Sequence, residues 1–205
     1  MMSNHNLIKH LILIGVLKTP RIINAFQSVD RANFVCQKDV PDAYNDYPLP
    51  IGYGQTISQP YTVAFMLELL QVEGGDKVLD VGAGSGWTTA LLSCLVGEKG
   101  YVYGTELVPE LLDFGRENLK ANMIVNAQII QAGRILGYPK EAPYDKILVS
   151  AAGHNLPNVL IKQMEISGRM VIPVLNAIIK ADKTADGQIE TSKYDGFVFV
   201  KLKQP

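Results

Sequence analysis

A glycine-rich turn between a predicted strand and a predicted helix is the part of this sequence best suited to hold a ligand. The run Asp80-Val81-Gly82-Ala83-Gly84-Ser85-Gly86 follows the apolar residues of Lys77–Val81 and leads directly into Trp87. Glycines at such a turn let a ligand approach the backbone closely, and the N–H groups at the start of the helix can point toward it. A dinucleotide-binding turn needs a glycine where Trp87 stands. The pattern therefore favours a nucleoside over a dinucleotide, which argues against a nucleotide-dependent oxidoreductase.

An acidic residue at the end of the next predicted strand completes this pattern. Glu106 directly follows the run Gly100–Thr105. A carboxylate at that place can accept hydrogen bonds from both ribose hydroxyls, and it would repel the 2′-phosphate of NADP. An ordinary solvated acid is the alternative, and the spacing from the glycine turn argues against it. Together the two features predict S-adenosylmethionine as the cofactor, and on their own they do not name a reaction.

Composition and charge limit the other classes of function. The 205 residues, 47% of them hydrophobic, are enough for one globular domain with a sizeable core. A net charge of −1 gives no indication of a nucleic-acid partner. The apolar run Leu11–Leu17 is shorter than the roughly 20 residues of a membrane span, and no signal-peptide cleavage site follows it. We therefore expect a cytoplasmic monomer without membrane contact.

No cluster of residues has metal-ligand spacing, and Cys94, in an apolar run, is predicted to be buried.

The order of predicted elements indicates an α/β fold of the Rossmann-like methyltransferase type, in one domain over residues 1–205. Two helices within 5–35, divided at Thr19-Pro20, precede a proline-rich loop at 36–60, which is predicted to be functional because of its length. Residues 61–205 then alternate strands with helices, which predicts a mostly parallel sheet with helices on both faces. The predicted helices are 61–70, 87–96, 109–122 and 156–164, and the predicted strands are 77–81, 100–105, 127–131, 146–150 and 168–173. The runs 176–183 and 197–202 predict an antiparallel C-terminal edge.

The segment from Tyr47 to Tyr61 carries a second and more specific pattern. It reads Tyr-Pro-Leu-Pro-Ile-Gly-Tyr-Gly-Gln-Thr-Ile-Ser-Gln-Pro-Tyr, and it strongly resembles the substrate loop of the protein-L-isoaspartate O-methyltransferases. A run of this length and specificity is not expected by chance. The resemblance covers nearly the whole chain and continues in the runs 26–35, 80–86, 142–145, 169–174 and 197–200.

This resemblance implies a reaction and a set of site residues. The enzyme would transfer a methyl group from S-adenosylmethionine to the α-carboxylate of an L-isoaspartyl residue in a damaged protein or peptide. The ester would then collapse to a succinimide, which can reopen as normal aspartate. The family's active-site serine or threonine corresponds to Ser58, for which capping of the next helix is the alternative role. The residues expected to bind the cofactor are Gln55, Thr56, Ile57, Asp80, Gly82, Gly84, Ser85, Gly86, Glu106, Leu107, Ala132 and Gly133.

Three positions depart from the family pattern. Ala132 stands where the family has an acid that meets the adenine amino group, Cys36 replaces a proline, and Gly153-His154 replaces a proline-rich turn. Ala132 leaves open a paralogue that keeps the cofactor and methylates another substrate. A non-catalytic S-adenosylmethionine-binding protein is a further alternative, against which the intact run Thr56-Ile57-Ser58 argues. We expect no base function for the loop histidine, because the carboxylate nucleophile needs no base.

Overall fold

The computed structural model describes residues 3–203 and is built around a twisted sheet of seven strands. In chain order these strands are Lys77–Val81 (β3), Tyr101–Glu106 (β4), Ala127–Gln131 (β5), Tyr144–Val149 (β6), Met164–Val174 (β7), Ala177–Lys183 (β8) and Ile189–Asp195 (β9). Their spatial order is β5-β4-β3-β6-β7-β8-β9, and the pairings from β5 to β7 are parallel while the last two are antiparallel. The predicted mostly parallel sheet with an antiparallel C-terminal edge is confirmed.

The described residues also contain six α-helices, three short 3₁₀ helices and a small hairpin. The hairpin consists of Leu49–Gly52 (β1) and Gln55–Ile57 (β2). The helices are Asn4–Leu13 (α1), Pro20–Ser28 (α2), Pro60–Leu70 (α3), Trp87–Val96 (α4), Pro109–Ala121 (α5) and Asn158–Ile161 (α6). None of the helices within residues 3–203 is long and apolar enough to cross a membrane.

The strands are buried because apolar layers cover both faces of the sheet. Val78 of β3 and Leu148 of β6 belong to the core that α1 to α5 share with one face. The alternate residues Leu79 and Ile147 belong to a second core on the opposite face, where Leu160 of α6 packs. Strands buried on both faces read as continuous apolar runs, which explains why β3 is found as the sequence predicts.

The strand order places a crevice beside the glycine turn. The strand β3 is the first of the sheet in chain order, and its two neighbours are β4 on one side and β6 on the other. The chain runs from β3 to β4 and β5 on one side and then crosses back to β6 on the other side of β3. A reversal of strand order of this kind opens a gap at the carboxyl ends of the strands, which is where open α/β sheets bind their ligands. The glycine turn of residues 82–86 lies at this gap.

The prediction of a long loop at 36–60 is wrong in part, because much of this segment has regular structure. Residues Gln37–Asp42 form a 3₁₀ helix, and the hairpin β1–β2 follows. Leu49 and Ile57 are buried partners across this hairpin. Three successive residues with positive φ, Gly52 to Gly54, turn the chain between the strands. Local apolar alternation is short here, so the sequence pattern gave no strand signal.

Two further elements differ from the prediction. The predicted helix 156–164 is limited to α6, because Met164 already begins β7 and the Gln163 carbonyl oxygen accepts a hydrogen bond from the Tyr144 N–H of β6. The predicted strand 197–202 is wrong, since the antiparallel partner of β8 is β9. Gly196, at φ +98°, ends that strand. The segment 197–203 then crosses to the carboxyl end of the sheet.

The cysteines also differ from expectation at one position. Cys94 is exposed on the outer face of α4, so its predicted burial is wrong. Its neighbours Ser93 and Leu95 are buried, because the helix turns one residue in three or four away from the core. Cys36 is half-buried, and neither thiol forms a disulfide within the described part of the chain.

Candidate functional site

A deep cleft opens at the carboxyl ends of β3, β4 and β6. The empty space between its walls, including the part open to solvent, is about 930 Å³. Its walls come from the β1–β2 hairpin, the glycine turn with the start of α4, the end of β4, the segment after β5, the residues directly after β6 and the C-terminal segment 200–203. Six separate stretches of chain therefore meet around one volume.

The glycine turn forms the floor of this cleft. Gly82, Gly84 and Gly86 all have positive φ, at +83°, +52° and +85°, a region that other residues enter at a cost. A Cβ atom on Gly86 would lie 3.1 Å from the carbonyl oxygen of Gly115 in α5. A Cβ atom on Gly115 would in turn lie 2.7 Å from the carbonyl oxygen of Gly84 and 2.8 Å from Ile129 Cδ1. The turn thus lies directly on the glycine of a neighbouring helix.

Asp80 lies behind the turn rather than in the cleft. Its side chain is fully buried, and its Oδ2 atom accepts hydrogen bonds from the hydroxyls of Thr88 (2.8 Å) and Thr89 (2.7 Å) at the start of α4. Burial, with a smaller contribution from the charge of Glu106, raises the pKa of Asp80 to about 6. The Asp80 side chain therefore fixes the end of β3 to the start of α4.

Glu106 has the geometry of a preorganised acceptor. Its Oε1 atom accepts hydrogen bonds from the backbone N–H groups of Leu107 (2.8 Å) and Val108 (3.0 Å), and its Oε2 atom accepts one from Gly84 (2.9 Å). Each carboxylate oxygen can accept more than one hydrogen bond, so capacity remains for a ligand. Glu106 lines the cleft and is 7% exposed without a ligand. Its orientation suits a pair of ribose hydroxyls.

Ser58 directly follows β2 and belongs to the hairpin's part of the cleft lining. The alternative that it caps α3 is wrong, because α3 begins at Pro60 with Gln59 as its N-cap. The Tyr61 N–H of the first helical turn is bound instead by Asp46 Oδ1, at 2.8 Å. Ser58 and the preceding residues of β2 line the cleft. The serine hydroxyl is therefore not needed to start the helix.

Most of the residues predicted from the sequence come together at this cleft. Those that line it are Gln55, Thr56, Ile57, Ser58, Gly82, Gly84, Ser85, Glu106, Leu107 and Ala132. Asp80, Gly86 and Gly133 lie outside its lining, and the first two act on the glycine turn from behind. Lining residues that the prediction missed include Ser150 and Ala151 after β6 and the run Val200–Lys203. The rule that ligands bind at the carboxyl ends of parallel strands could have found the first pair.

The segment after β5 closes the far end of the cleft. The Ala132 N–H donates to the Glu106 carbonyl oxygen at 2.7 Å, which extends the pairing of β4 with β5 by one residue. Gly133 and Arg134 are exposed, and the chain returns to the cleft at Leu136 and Gly137. The wall contributed by Ala132 therefore carries a methyl group and no acceptor side chain.

The C-terminal segment forms the remaining wall. The Ala152 N–H donates to the Val200 carbonyl oxygen at 2.8 Å, and the Leu202 N–H donates to the Ala152 carbonyl oxygen at 2.9 Å. These bonds hold Lys201 and Lys203 at the cleft, where their cationic side chains favour an anionic ligand. His154 is exposed and is not part of the lining. A cleft lined by both a carboxylate acceptor and cationic side chains suits a cofactor and a carboxylate substrate together.

Comparisons with known proteins agree with this geometry. The family model of protein-L-isoaspartate(D-aspartate) O-methyltransferase matches residues 2–205. Protein-L-isoaspartate O-methyltransferase of Ignicoccus hospitalis is 44% identical over 192 residues, covering 91% of each chain. The enzyme of Methanopyrus kandleri is 41% identical, covering 98% of this chain and 91% of its own. A Plasmodium falciparum crystal structure described as a protein-L-isoaspartate O-methyltransferase in complex with S-adenosyl-L-homocysteine has a TM-score of 0.89, at 26% identity and full coverage of both chains. The chain belongs to the protein-L-isoaspartate(D-aspartate) O-methyltransferase family.

Proposed function

We propose that this protein transfers the methyl group of S-adenosylmethionine to the α-carboxylate of L-isoaspartyl residues in damaged proteins and peptides. The observation that carries the proposal is that Ser58 and Glu106 both line one cleft, together with the glycine turn. Glu106 suits the cofactor's ribose, and Ser58 is free to meet the substrate. The relatives from Ignicoccus hospitalis and Methanopyrus kandleri are both named for this activity. Each is more than 40% identical in sequence to this chain.

The cofactor fits the residues present. At Gly82 and Gly84 the turn has no side chain between its backbone and the cleft, and Glu106 offers acceptors already aligned by three backbone N–H groups. Gln55, Thr56 and Ile57 would lie beside the cofactor from the hairpin, and Leu107 would lie beside it from β4. When bound, S-adenosylmethionine supplies an activated methyl group on a sulfonium that is already a good leaving group.

The protein's own contribution is to orient the acceptor and to exclude water. A carboxyl group with a pKa of about 4 is already ionised at neutral pH, so no general base is required. We assign to Ser58 the role of donating a hydrogen bond to the substrate carboxylate and holding one oxygen in line with the methyl group. Proximity and orientation of this kind can supply roughly 7–11 kcal/mol of rate acceleration.

The proposal also covers the protein's domain organisation, oligomeric state, location and partners. We propose a single domain, residues 1–205, that works as a cytoplasmic monomer without nucleic acid or membrane. The N-terminal helices and the α/β part share one apolar core, which supports a single domain. A net charge of −1 supports the absence of a nucleic-acid partner. Two cysteines without a disulfide fit a reducing compartment. Sedimentation at micromolar concentration tests the monomer.

One experiment tests the reaction directly. Labelled S-adenosylmethionine is incubated with two peptides that differ only in a normal aspartyl or an isoaspartyl linkage. We expect label in the isoaspartyl peptide alone, released by mild base as expected for a methyl ester. Equal labelling of both peptides would indicate a paralogue with another substrate. Binding of S-adenosylhomocysteine without any labelling would indicate a non-catalytic binding protein.

A further inference from the structure

Arg31 is a charged side chain buried at the base of the hairpin, and it forms no ion pair within the described range 3–203. It is 0% exposed and begins the 3₁₀ turn Arg31–Phe34. Its Nη1 atom donates to the carbonyl oxygens of Ala43, at 2.7 Å, and Asn45, at 3.4 Å. Burial lowers the pKa of Arg31 to about 10, and the charge of Asp46 opposes this shift, so the guanidinium stays protonated at neutral pH. A cation desolvated in this way is costly unless its donors are satisfied.

The second amino group of Arg31 joins the two ends of the hairpin. Its Nη2 atom donates to the carbonyl oxygens of Tyr47 and Ser58, each at 3.1 Å. Tyr47 lies two residues before β1, and Ser58 directly follows β2. A single nitrogen atom therefore fixes the spacing at which the chain enters and leaves the hairpin. Ser58 is one of its two direct acceptors.

The face of the guanidinium contacts the cofactor side of the cleft. Arg31 Cζ lies 5.3 Å from the ring centroid of Trp87, in cation–π geometry. Trp87 is the first residue of α4 and directly follows Gly86 of the glycine turn. Its ring is also packed edge-on against Phe26, at 5.7 Å between centroids. One side chain thus contacts both the residue after the glycine turn and the backbone of Ser58.

We propose that Arg31 is a positioning residue that fixes the Ser58 backbone relative to the glycine turn. This inference rests on the role of Ser58 under the proposed function. Lysine cannot replace arginine here, because an ammonium group is a compact point charge that cannot reach four carbonyl oxygens and at the same time lie over an indole ring. The loss of Arg31 should therefore affect turnover through Ser58 and leave the cofactor site largely intact.

The test is a double-mutant cycle with Arg31→Lys and Ser58→Ala, read as turnover on the isoaspartyl peptide. Arg21→Lys is the matched control, since Arg21 also donates to a backbone carbonyl, that of Leu95 at the far end of α4. We expect Arg31→Lys to lower kcat at least about tenfold and to change the Kd of S-adenosylhomocysteine less than threefold. In the Ser58→Ala background the same change should lower kcat less than threefold. Arg21→Lys should leave kcat within twofold of the unmodified protein.

Equal losses of kcat in both backgrounds would overturn the proposal, because Arg31 would then act on the fold in general. A loss of S-adenosylhomocysteine affinity as large as the loss of kcat would also overturn it. Hydrogen exchange gives a readout that needs no activity. Arg31→Lys should speed amide exchange across residues 47–58 and leave residues 80–86 unchanged, and equal acceleration of both would contradict the positioning role. If the unmodified protein labels neither peptide, the proposed function fails, and the exchange result still decides the role of Arg31.

Discussion

The carboxylate of Glu106 and the backbone of Gly84 are joined by a hydrogen bond of 2.9 Å between Oε2 and the amide N–H. This bond links the end of β4 to the glycine turn that follows β3. A single acid therefore both shapes the turn and faces the cleft. The two roles make Glu106 the residue whose replacement should affect the cofactor most.

We expect Glu106→Gln to weaken S-adenosylhomocysteine binding about 10- to 100-fold. An amide keeps one acceptor oxygen, but its NH₂ group would face either the N–H of Gly84 or those of Leu107 and Val108, and two donors repel. Hydrogen bonds to charged groups contribute roughly 1.5–3 kcal/mol, which gives this range. Isothermal titration calorimetry measures the change. Unaltered affinity would mean that the carboxylate does not hold the ribose.

Ser58→Ala should lower turnover and leave cofactor binding largely unchanged. The variant loses the hydroxyl that orients the substrate carboxylate, so we expect kcat to fall about 10- to 100-fold while S-adenosylhomocysteine affinity stays within threefold. Ser28→Ala, at the exposed end of α2, is the matched control and should change neither quantity. Steady-state kinetics with the isoaspartyl peptide, together with calorimetry, separate the two effects. If affinity and kcat fell together, Ser58 would be a cofactor or structural residue.

Ala132→Asp should tighten cofactor binding. The position lines the cleft, and its backbone is fixed by the bond to the Glu106 carbonyl, so a carboxylate there would offer the adenine amino group an acceptor. A gain of about 0.5–1.5 kcal/mol corresponds to roughly 2- to 10-fold lower Kd. Ala132→Leu, which adds bulk without an acceptor, is the control. A clear weakening by aspartate would show that the adenine end of the cofactor lies elsewhere.

Gly86→Ala should reduce both stability and cofactor affinity. Gly86 has φ +85°, and a new Cβ would press on Gly115 and Ile129. Gly97→Ala, at the other end of α4, is the control, because its φ is +65° but a Cβ there meets nothing within 4 Å. We expect about 1 kcal/mol of destabilisation for Gly97→Ala from backbone strain alone and a larger loss for Gly86→Ala. Chemical denaturation and calorimetry check both, and equal behaviour of the two variants would refute the packing argument.

The buried Asp80 should make stability fall as the pH rises through the weakly acidic range. Its folded pKa is about 6 and its ordinary value is 3.8, so between these values the folded state binds the proton and the unfolded state does not. The carboxyl group therefore destabilises the fold progressively from about pH 4 to pH 6 and by a constant amount above. A shift of about two units corresponds to about 3 kcal/mol at most.

Asp80→Asn removes this titration. We expect the free energy of unfolding of the variant, relative to the unmodified protein, to increase between pH 4 and pH 6 and then to level off. Urea titrations at several pH values measure it. A difference that does not change with pH would mean that Asp80 titrates alike in the folded and unfolded chains.

The elements that the sequence predicts best are those whose signals are local. The strand β3 and the helix α4 have the predicted bounds, because a continuous apolar run, a glycine turn and a helical run follow one another directly. The strand β9 was missed, since Ile189–Asp195 is a largely exposed edge strand with little apolar alternation. The run 197–202 has the alternation of a strand, but its partner is Ala152, far away in the chain.

The candidate site divides in the same way. Motif residues such as Glu106 and Ser58 could be found from their spacing and from the resemblance. Arg31 could not be found in this way, because its acceptors are backbone carbonyl oxygens up to 27 positions away. Every residue has a backbone carbonyl group, so the sequence does not distinguish the residues that accept these bonds. The role of Asp46 at the start of α3 was missed for a similar reason. Its bond to Tyr61 spans 15 positions, whereas helix caps are normally sought within the neighbouring residues.

The close contact between Gly115 and the glycine turn limits how this site could be transplanted. A protein engineer who copied only residues 80–86 onto another scaffold would place the Gly84 carbonyl against whatever side chain the host helix carries. Even an alanine at the position of Gly115 would bring a Cβ atom within 2.7 Å of that oxygen. The smallest portable unit therefore includes α5 and the Ile129 side chain of β5. If only the loop were transferred, its backbone would be distorted by this contact even without a ligand.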